Sequence, residues 1–377
     1  MRILMINSEY PPVGGGASNA SANIAQHLLN NGHEVIVLTS RYGDLPRSAE
    51  EQGVRVFRGP AKRKRKDRSS AWEQGLFMVL GGFKAFQLVR QFQPQVTFAF
   101  FGAPSGIIAW FLKAIFGIPY VVSLRGGDVP GFRKYDFWLY HLLITPFLHV
   151  VWKQAYRVVA NSQGLRQLAQ NFNNTVKIDI IPNGVNLEKF SETQRSWDPP
   201  KILAVGRLVY QKGFELLLKA LSGLSEDPWE LTVVGDGPRR PLLEKKALDL
   251  GISARVHFVG WQDKAELPHF YQEANLFVLP SRNEGMSNAV LEAMASNLPV
   301  IATRIAGNEE LINEGKTGLL IPPESFEALR TALHKLMGDP KYRQEMGRAG
   351  RTFVEQNYSW KNTAAQYQVL LEEAVAA

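Results

Sequence analysis

The chain contains no cysteine. That excludes disulfides, thiolate metal sites and a cysteine nucleophile, and it is compatible with a reducing compartment. No Asp-x-Asp triplet is present, which argues against a divalent-metal donor site of the kind that motif builds. No Gly-x-Gly-x-x-Gly fingerprint with an acidic partner is found either, which counts against a nicotinamide-dependent oxidoreductase. No apolar run crosses a membrane unbroken. Residues 96–112 come nearest, but Gly102, Pro104 and Gly106 divide them into strand, loop and helix. The N-terminus MRILMINSEYPP has no signal-type apolar region and reads as a first strand, so a cytoplasmic protein is expected.

What is present is ordinary in bulk and uneven in detail. A length of 377 residues with 45% hydrophobic content fits two domains rather than one core. The net charge of +8 lies wholly in the first half, since residues 1–185 hold 21 Lys/Arg against 10 Asp/Glu. Such asymmetry implies an anionic partner, either nucleic acid or a membrane surface. Its sharpest part is Lys62-Arg63-Lys64-Arg65-Lys66, followed by Asp67 and Arg68, which reads as a surface loop ordered by a partner or merely solvated. Around residues 62–68 no nucleic-acid-binding module is recognisable, so no nucleic acid is expected. The apolar stretch 137–152, with Pro146 inside it, reads as lying on a bilayer. Residues 62–68 and 137–152 together make peripheral contact with the inner face of an anionic membrane the expectation.

Short β-branched or aromatic runs alternate with helical spacing along the whole chain. In the first half they fall at Ile3–Ile6, Val35–Leu38, Val54–Phe57, Val96–Phe100, Tyr120–Leu124, Arg157–Ala160 and Ile178–Ile181. A second set runs from Ile202–Val205 to Gly318–Ile321, with helices such as Phe214–Ser222 and Ser287–Ala295 between strands. This rhythm predicts an α/β protein of two tandem Rossmann-like domains, with ligand in the cleft between them. The expected divisions are 1–185, a linker at 186–200, 201–356, and a C-terminal helix over 357–377 that packs back on the first domain. Residues 186–200 and the helix near Trp360 then form the hinge.

Three clusters can carry chemistry. Gly14-Gly15-Gly16 follow the first strand and precede a helix, so they form either a phosphate-approaching turn or a plain flexible loop. Arg207 and Lys212 follow strand Ile202–Val205, where two cations can embrace a pyrophosphate or simply be solvated. Glu284 to Glu292 (EGMSNAVLE) is the most informative. With a helix starting at Ser287, Glu284 stays in the loop, the first N–H groups face phosphate, and Glu292 reaches a ribose diol.

In context these segments are recognisable. Leu279-Pro280-Ser281, Glu284-Gly285, Leu291-Glu292-Ala293-Met294-Ala295, Pro299-Val300-Ile301-Ala302-Thr303 and Gly315-Lys316-Thr317-Gly318 resemble the donor half of the family 4 (group 1) glycosyltransferases. Ile181-Pro182-Asn183-Gly184-Val185-Asn186, Val205-Gly206-Arg207, Lys212-Gly213, Val234-Gly235-Asp236-Gly237-Pro238, and Pro11-Pro12 with the triple glycine extend the likeness over the chain. The resemblance implies the GT-B fold and a retaining, metal-independent transfer of a sugar from a nucleotide-sugar, uridine favoured over guanosine. It implies a lipid-linked or cell-envelope (exopolysaccharide or lipopolysaccharide) glycan acceptor and no cofactor.

By that resemblance Arg207 and Lys212 stabilise the departing diphosphate, while Glu284 binds a donor hydroxyl and Glu292 the ribose. Gly15 and Gly16 contact phosphate, Met286, Ser287 and Asn288 hold the donor, and Val259 lies beside the base. One departure stands out. Where the family commonly has His-Gly-x-Asp/Glu, this chain has Arg125-Gly126-Gly127-Asp128. A guanidinium is no base at neutral pH but binds phosphate or carboxylate, so Arg125 points to an altered donor or an anionic acceptor. Asp128 is either an acceptor-orienting carboxylate or a turn cap. A nucleotide-sugar epimerase of the same fold is the alternative reading.

Overall fold

The computed structural model describes residues 1–66, 69–132, 138–191, 199–263 and 265–377. They form two compact units: Met1–Asn183 with Trp360–Ala377, and Gly184–Ser359.

The first unit is built on β1 (Arg2–Ile6), β2 (Glu34–Tyr42), β3 (Ser48–Glu51), β4 (Val54–Arg63), β5 (Val96–Phe100), β6 (Tyr120–Ser123), β7 (Arg157–Ala160) and β8 (Ile178–Ile180). Their order is β3-β4-β2-β1-β5-β6-β7-β8, parallel except for the edge strand β3, which runs antiparallel to β4. The connecting helices are α1 (Gly16–Asn30), α2 (Ala71–Leu76), α3 (Gly82–Phe92), α4 (Gly106–Phe116), α5 (Trp138–Gln154) and α6 (Gln163–Phe172). Alternate strand residues serve opposite faces. Ile3, Met5, Val35 and Val37 pack against Ile24 and Leu28 of α1. Leu4, Ile6, Ile36 and Leu38 pack against Leu88 of α3 and Ile108 and Leu112 of α4. Burial on both faces is why these strands read as continuous apolar runs.

The second unit carries β9 (Lys201–Val205), β10 (Glu230–Val234), β11 (Val256–Gly260), β12 (Leu276–Leu279), β13 (Val300–Thr303) and β14 (Gly318–Ile321). All pairings are parallel, in the order β11-β10-β9-β12-β13-β14. Its helices are α7 (Phe214–Ser222), α8 (Arg240–Asp249), α9 (Leu267–Glu273), α10 (Asn288–Ala295), α11 (Ala306–Glu309), α12 (Phe326–Met337) and α13 (Pro340–Asn357). From Trp360 the chain rejoins the first unit as α14 (Trp360–Ala376), whose Trp360, Tyr367 and Leu371 complete the core under α1. The expected return of the C-terminal helix onto the N-terminal domain is thus present.

Several details differ from expectation. Strand β4 runs on to Arg63, with Lys62 and Arg63 in register with Arg41 and Tyr42. The basic run therefore begins inside a sheet rather than in a loop. Arg63 is buried, and its guanidinium lies 3.6 Å from Glu9. Asp67 and Arg68 lie outside the described residues, as do 192–198 of the expected linker and Phe137 of the stretch 137–152. The described start of that linker belongs to the second unit, because Phe190 is buried against Tyr271 with ring centroids 5.4 Å apart. The helices over 71–92 and 340–357 were not anticipated. Among the described residues no helix is long and apolar enough to cross a membrane.

Candidate active site

In a doubly wound sheet, ligands meet the carboxyl ends of strands where the order reverses. In the second unit that reversal falls at β9, which has β10 on one side and β12 on the other. The loops leaving β9 and β12 carry Arg207, Lys212 and Glu284, and they touch backbone to backbone. Gly213 has φ +65°, and a Cβ there would lie 2.2 Å from the Pro280 carbonyl oxygen. Arg282 N–H donates to the Gln211 carbonyl, and the Gln211 side-chain amide donates to that of Asn283, both at 2.7 Å.

This contact delivers the central feature. Lys212 Nζ donates to Glu284 Oε1 at 2.6 Å, and Ser281 Oγ donates to the same oxygen at 2.7 Å. Both charged side chains are mostly buried, so their orientation is fixed by packing as well as by charge. Glu284 Oε2 makes no hydrogen bond among the described residues, which leaves an acceptor for a hydroxyl. Arg207 makes no side-chain ion pair or hydrogen bond among the described residues and stays available to an anion.

Glu292 lies on the second turn of α10, where its Oε2 accepts from the Tyr271 hydroxyl at 2.9 Å. Tyr271 is fully buried. Burial, then the neighbouring carboxylate, pushes its pKa well up, so it remains a phenol that donates. Ser287 is the N-cap of α10, its hydroxyl accepting from Val290 N–H, with Met286 just before it and Asn288 just after. Val259 lies on β11, the edge strand, and its carbonyl accepts from the Gln262 amide at 3.0 Å. From sequence alone Tyr271 has no role, and Ser281 figures only as part of Leu279-Pro280-Ser281, without its bond to Glu284. No spacing marks Tyr271, whereas Ser281 stands three residues before Glu284 in the segment already singled out.

In the first unit the corresponding reversal is at β1, between β2 and β5. Gly15 caps α1 and Gly16 opens it, and a Cβ on Gly15 would meet nothing within 4 Å. Gly14 N–H donates to the Lys66 carbonyl at 2.8 Å, which ties this loop to the basic segment. Arg125 lies over the Phe100 ring, 4.6 Å from its centroid, and its Nη1 donates to Asn183 Oδ1 at 2.7 Å. Its Nε and Nη2 are buried without a hydrogen-bond partner, and burial lowers its pKa against the opposing pull of Tyr367 and Asp128. Asp128 is buried, with its carboxylate accepting from Gly102 N–H at 2.7 Å and Arg125 N–H at 3.0 Å. Burial raises its pKa and those two donors oppose the rise. Each oxygen thus takes one N–H, and the carboxylate ties two loops together.

Two doubly wound units, one with paired cation and carboxylate at its switch point, fit a glycosyltransferase of GT-B fold. Comparison with known proteins agrees. The profile described as Glycosyl transferases group 1 matches residues 186–353, and that of Glycosyltransferase Family 4 matches residues 14–189. The sulfoquinovosyl transferase of Arabidopsis thaliana is 30% identical over 96% of this chain and 71% of its own. A GDP-mannose-dependent phosphatidylinositol monomannoside mannosyltransferase of Mycolicibacterium smegmatis is 25% identical, covering 98% of each chain. Sucrose-phosphate synthase of Thermosynechococcus elongatus superposes with a TM-score of 0.87 at 24% identity, covering 100% of this chain and 99% of that one. Anabaena HepE in complex with UDP-glucose gives 0.81 at 19%, covering 99% and 100%. The chain belongs to the group 1, family 4 glycosyltransferases.

Proposed function

We propose that this glycosyltransferase moves a hexose, with retention and without a divalent metal, from a UDP-sugar onto a lipid-linked or cell-envelope glycan. The observation that carries the reading is the Lys212–Glu284–Ser281 cluster at the β9 switch point. Lys212 and Arg207 face the departing diphosphate, and the N–H groups opening α10 add to them, so the developing charge is met by fixed donors. Glu284 takes a donor hydroxyl through its open oxygen and Glu292 takes the ribose. Met286, Ser287 and Asn288 hold the rest of the sugar, with Val259 at the base. Gly15 and Gly16 approach the phosphates closely. Arg125 takes the place of a neutral ring and meets an anionic group on donor or acceptor. The leaving diphosphate oxygen accepts the acceptor's proton as the new bond forms on the same face of the sugar.

Uridine is favoured by the likeness to a chain holding UDP-glucose, although the mycobacterial relative is named for GDP-mannose. Calorimetric titration with UDP, GDP and NAD, each with and without EDTA, tests the reading. EDTA-insensitive binding of UDP supports it. Preference for GDP corrects the base, and loss of binding in EDTA overturns the metal-free mechanism. The anomeric configuration of the product, read by NMR, decides retention.

A further inference from the structure

Helices α2 to α5 cover one face of the first unit's sheet, and their inner sides are accounted for by the core. Leu88 and Ile108 face strands β1 and β2, and Leu148 and Trp152 face β6 and β7. Their outer sides are apolar as well. Trp72 is 78% exposed, Phe83 69%, Ile115 59% and Phe111 50%. Val79, Phe147 and Val150 join them, so that seven of the thirteen exposed large hydrophobic side chains among the described residues lie within residues 71–154. That is under a quarter of the chain, so chance scatter over the surface does not explain it.

The helices that carry these side chains lie side by side. Phe86 of α3 and Phe116 of α4 have ring centroids 4.8 Å apart, and Lys113 Nζ of α4 donates to the Gln154 carbonyl of α5 at 2.7 Å. Phe111 and Ile115 stand four apart on one helix, Phe147 and Val150 three apart on the next, which places each pair on one outward stripe.

Charge on the same helices has one sign. Lys84, Arg90, Lys113 and Lys153 stand against the single carboxylate of Glu73. That carboxylate is already occupied, Oε1 by Lys64 N–H and Oε2 by Ser70 N–H and hydroxyl. Lys62, Lys64 and Arg65 are exposed beside them, Lys64 being tied to α2 through Glu73. A second copy of the chain on this face would oppose cation to cation. An anionic bilayer would not, because rings settle at the headgroup level while Lys and Arg reach lipid phosphates.

We propose that the outer face of α2–α5 is a docking surface for an anionic lipid bilayer. It takes in Phe147 and Val150 of the stretch 137–152 and adjoins the exposed cations of 62–68, while Arg63 is turned into the protein. The proposal extends the reading of the acceptor as lipid-linked, but its test uses no acceptor.

The full chain is floated with vesicles of phosphatidylcholine, alone or with about 30% phosphatidylglycerol, in about 0.1 M salt. Wild type is expected to bind the anionic vesicles about tenfold more tightly than the neutral ones. The triple change Trp72→Ser, Phe83→Ser, Phe111→Ser is expected to lower anionic-vesicle affinity by about tenfold, with UDP titration and thermal unfolding confirming an intact fold. Should that variant misfold, Trp72→Ser alone is read in its place, with about a threefold loss expected. Replacing Lys84, Arg90, Lys113 and Lys153 by Gln is expected to abolish the preference for anionic vesicles. Equal binding of wild type to both vesicles, or undiminished binding by the folded apolar variant, overturns the proposal. So does a lipid-free dimer that the apolar changes dissociate, which assigns the face to a second copy. Vesicle binding without UDP or GDP binding leaves docking standing and removes the donor reading instead.

Discussion

Lys212 and Glu284 are separated by 72 residues of chain and by 2.6 Å in space, and Ser281 shares the carboxylate oxygen on which they meet. The pair exists because Gly213 lets one loop rest on the Pro280 carbonyl of the other. It aims the lysine's charge and leaves the far carboxylate oxygen open, which is an arrangement suited to a sugar diphosphate.

Lys212→Ala is expected to lower kcat by about 10²- to 10³-fold, the usual loss when one donor to developing charge is removed. Glu284→Ala should abolish transfer while UDP affinity stays within about tenfold. Because the two act as a unit, the double change should cost scarcely more than Glu284→Ala alone. Strictly additive losses in steady-state kinetics would mean that they act separately.

Tyr271→Phe removes one hydrogen bond and almost no volume. A rise in donor KM of about five- to tenfold with little change in kcat is expected, equivalent to about 1 kcal/mol. The loss should shrink for a donor lacking the ribose hydroxyls. If it does not, Tyr271 braces the fold and not Glu292.

Gly213→Ala places a Cβ 2.2 Å from the Pro280 oxygen at a φ of +65°. The loop must move, at a cost of about 1 to 3 kcal/mol. Chemical denaturation should show that cost, and UDP-sugar turnover should fall further than stability. Unaltered turnover would separate the loop contact from catalysis.

Arg63→Gln is expected to destabilise the first unit by about 3 kcal/mol, since it strands Glu9 beside a buried position. Lys64→Gln, one residue on and exposed, should change the denaturation midpoint little. Equal effects would restore the basic run to the surface.

His27 on α1 has its pKa lowered, first by burial and then by Lys361 of α14. Above the ordinary histidine value of about 6.5 the ring is neutral folded or unfolded and contributes nothing to pH dependence. Below it the unfolded chain binds the proton more readily, so stability is lost as pH falls from there toward the lowered value. His27→Gln should flatten thermal stability between about pH 5 and 7. A slope that persists in the variant would assign the effect to another group.

Local patterns made much of this fold legible. Phe214–Ser222 and Val96–Phe100 occur at their expected bounds because apolar period and flanking glycine or proline agree there. The helix opening at Ala71 carried a readable signal in Ser70 and Glu73, which form a reciprocal capping box. Asp339 with Pro340 announced α13 in the same way. The fate of Arg63 was not legible, since its burial depends on Glu9 and on a strand pairing set at Arg41 and Tyr42. Of the candidate site, Lys212 and Glu284 were readable by motif. Their hydrogen-bond partners were not, because Tyr271 reaches Glu292 only through the packing of α9 against the sheet.

The first unit closes only when α14 returns to it, since Trp360, Tyr367 and Leu371 fill the core beneath α1. Without α14, the stretch from Gly184 to Ser359 still holds every residue of its unit, whereas the segment before it lacks a side of its core. The half of the protein that comes first in the chain needs the last residues of the chain to close. A released chain cut just short of Trp360 is accordingly expected to show a protease-sensitive N-terminal half followed by a protected middle.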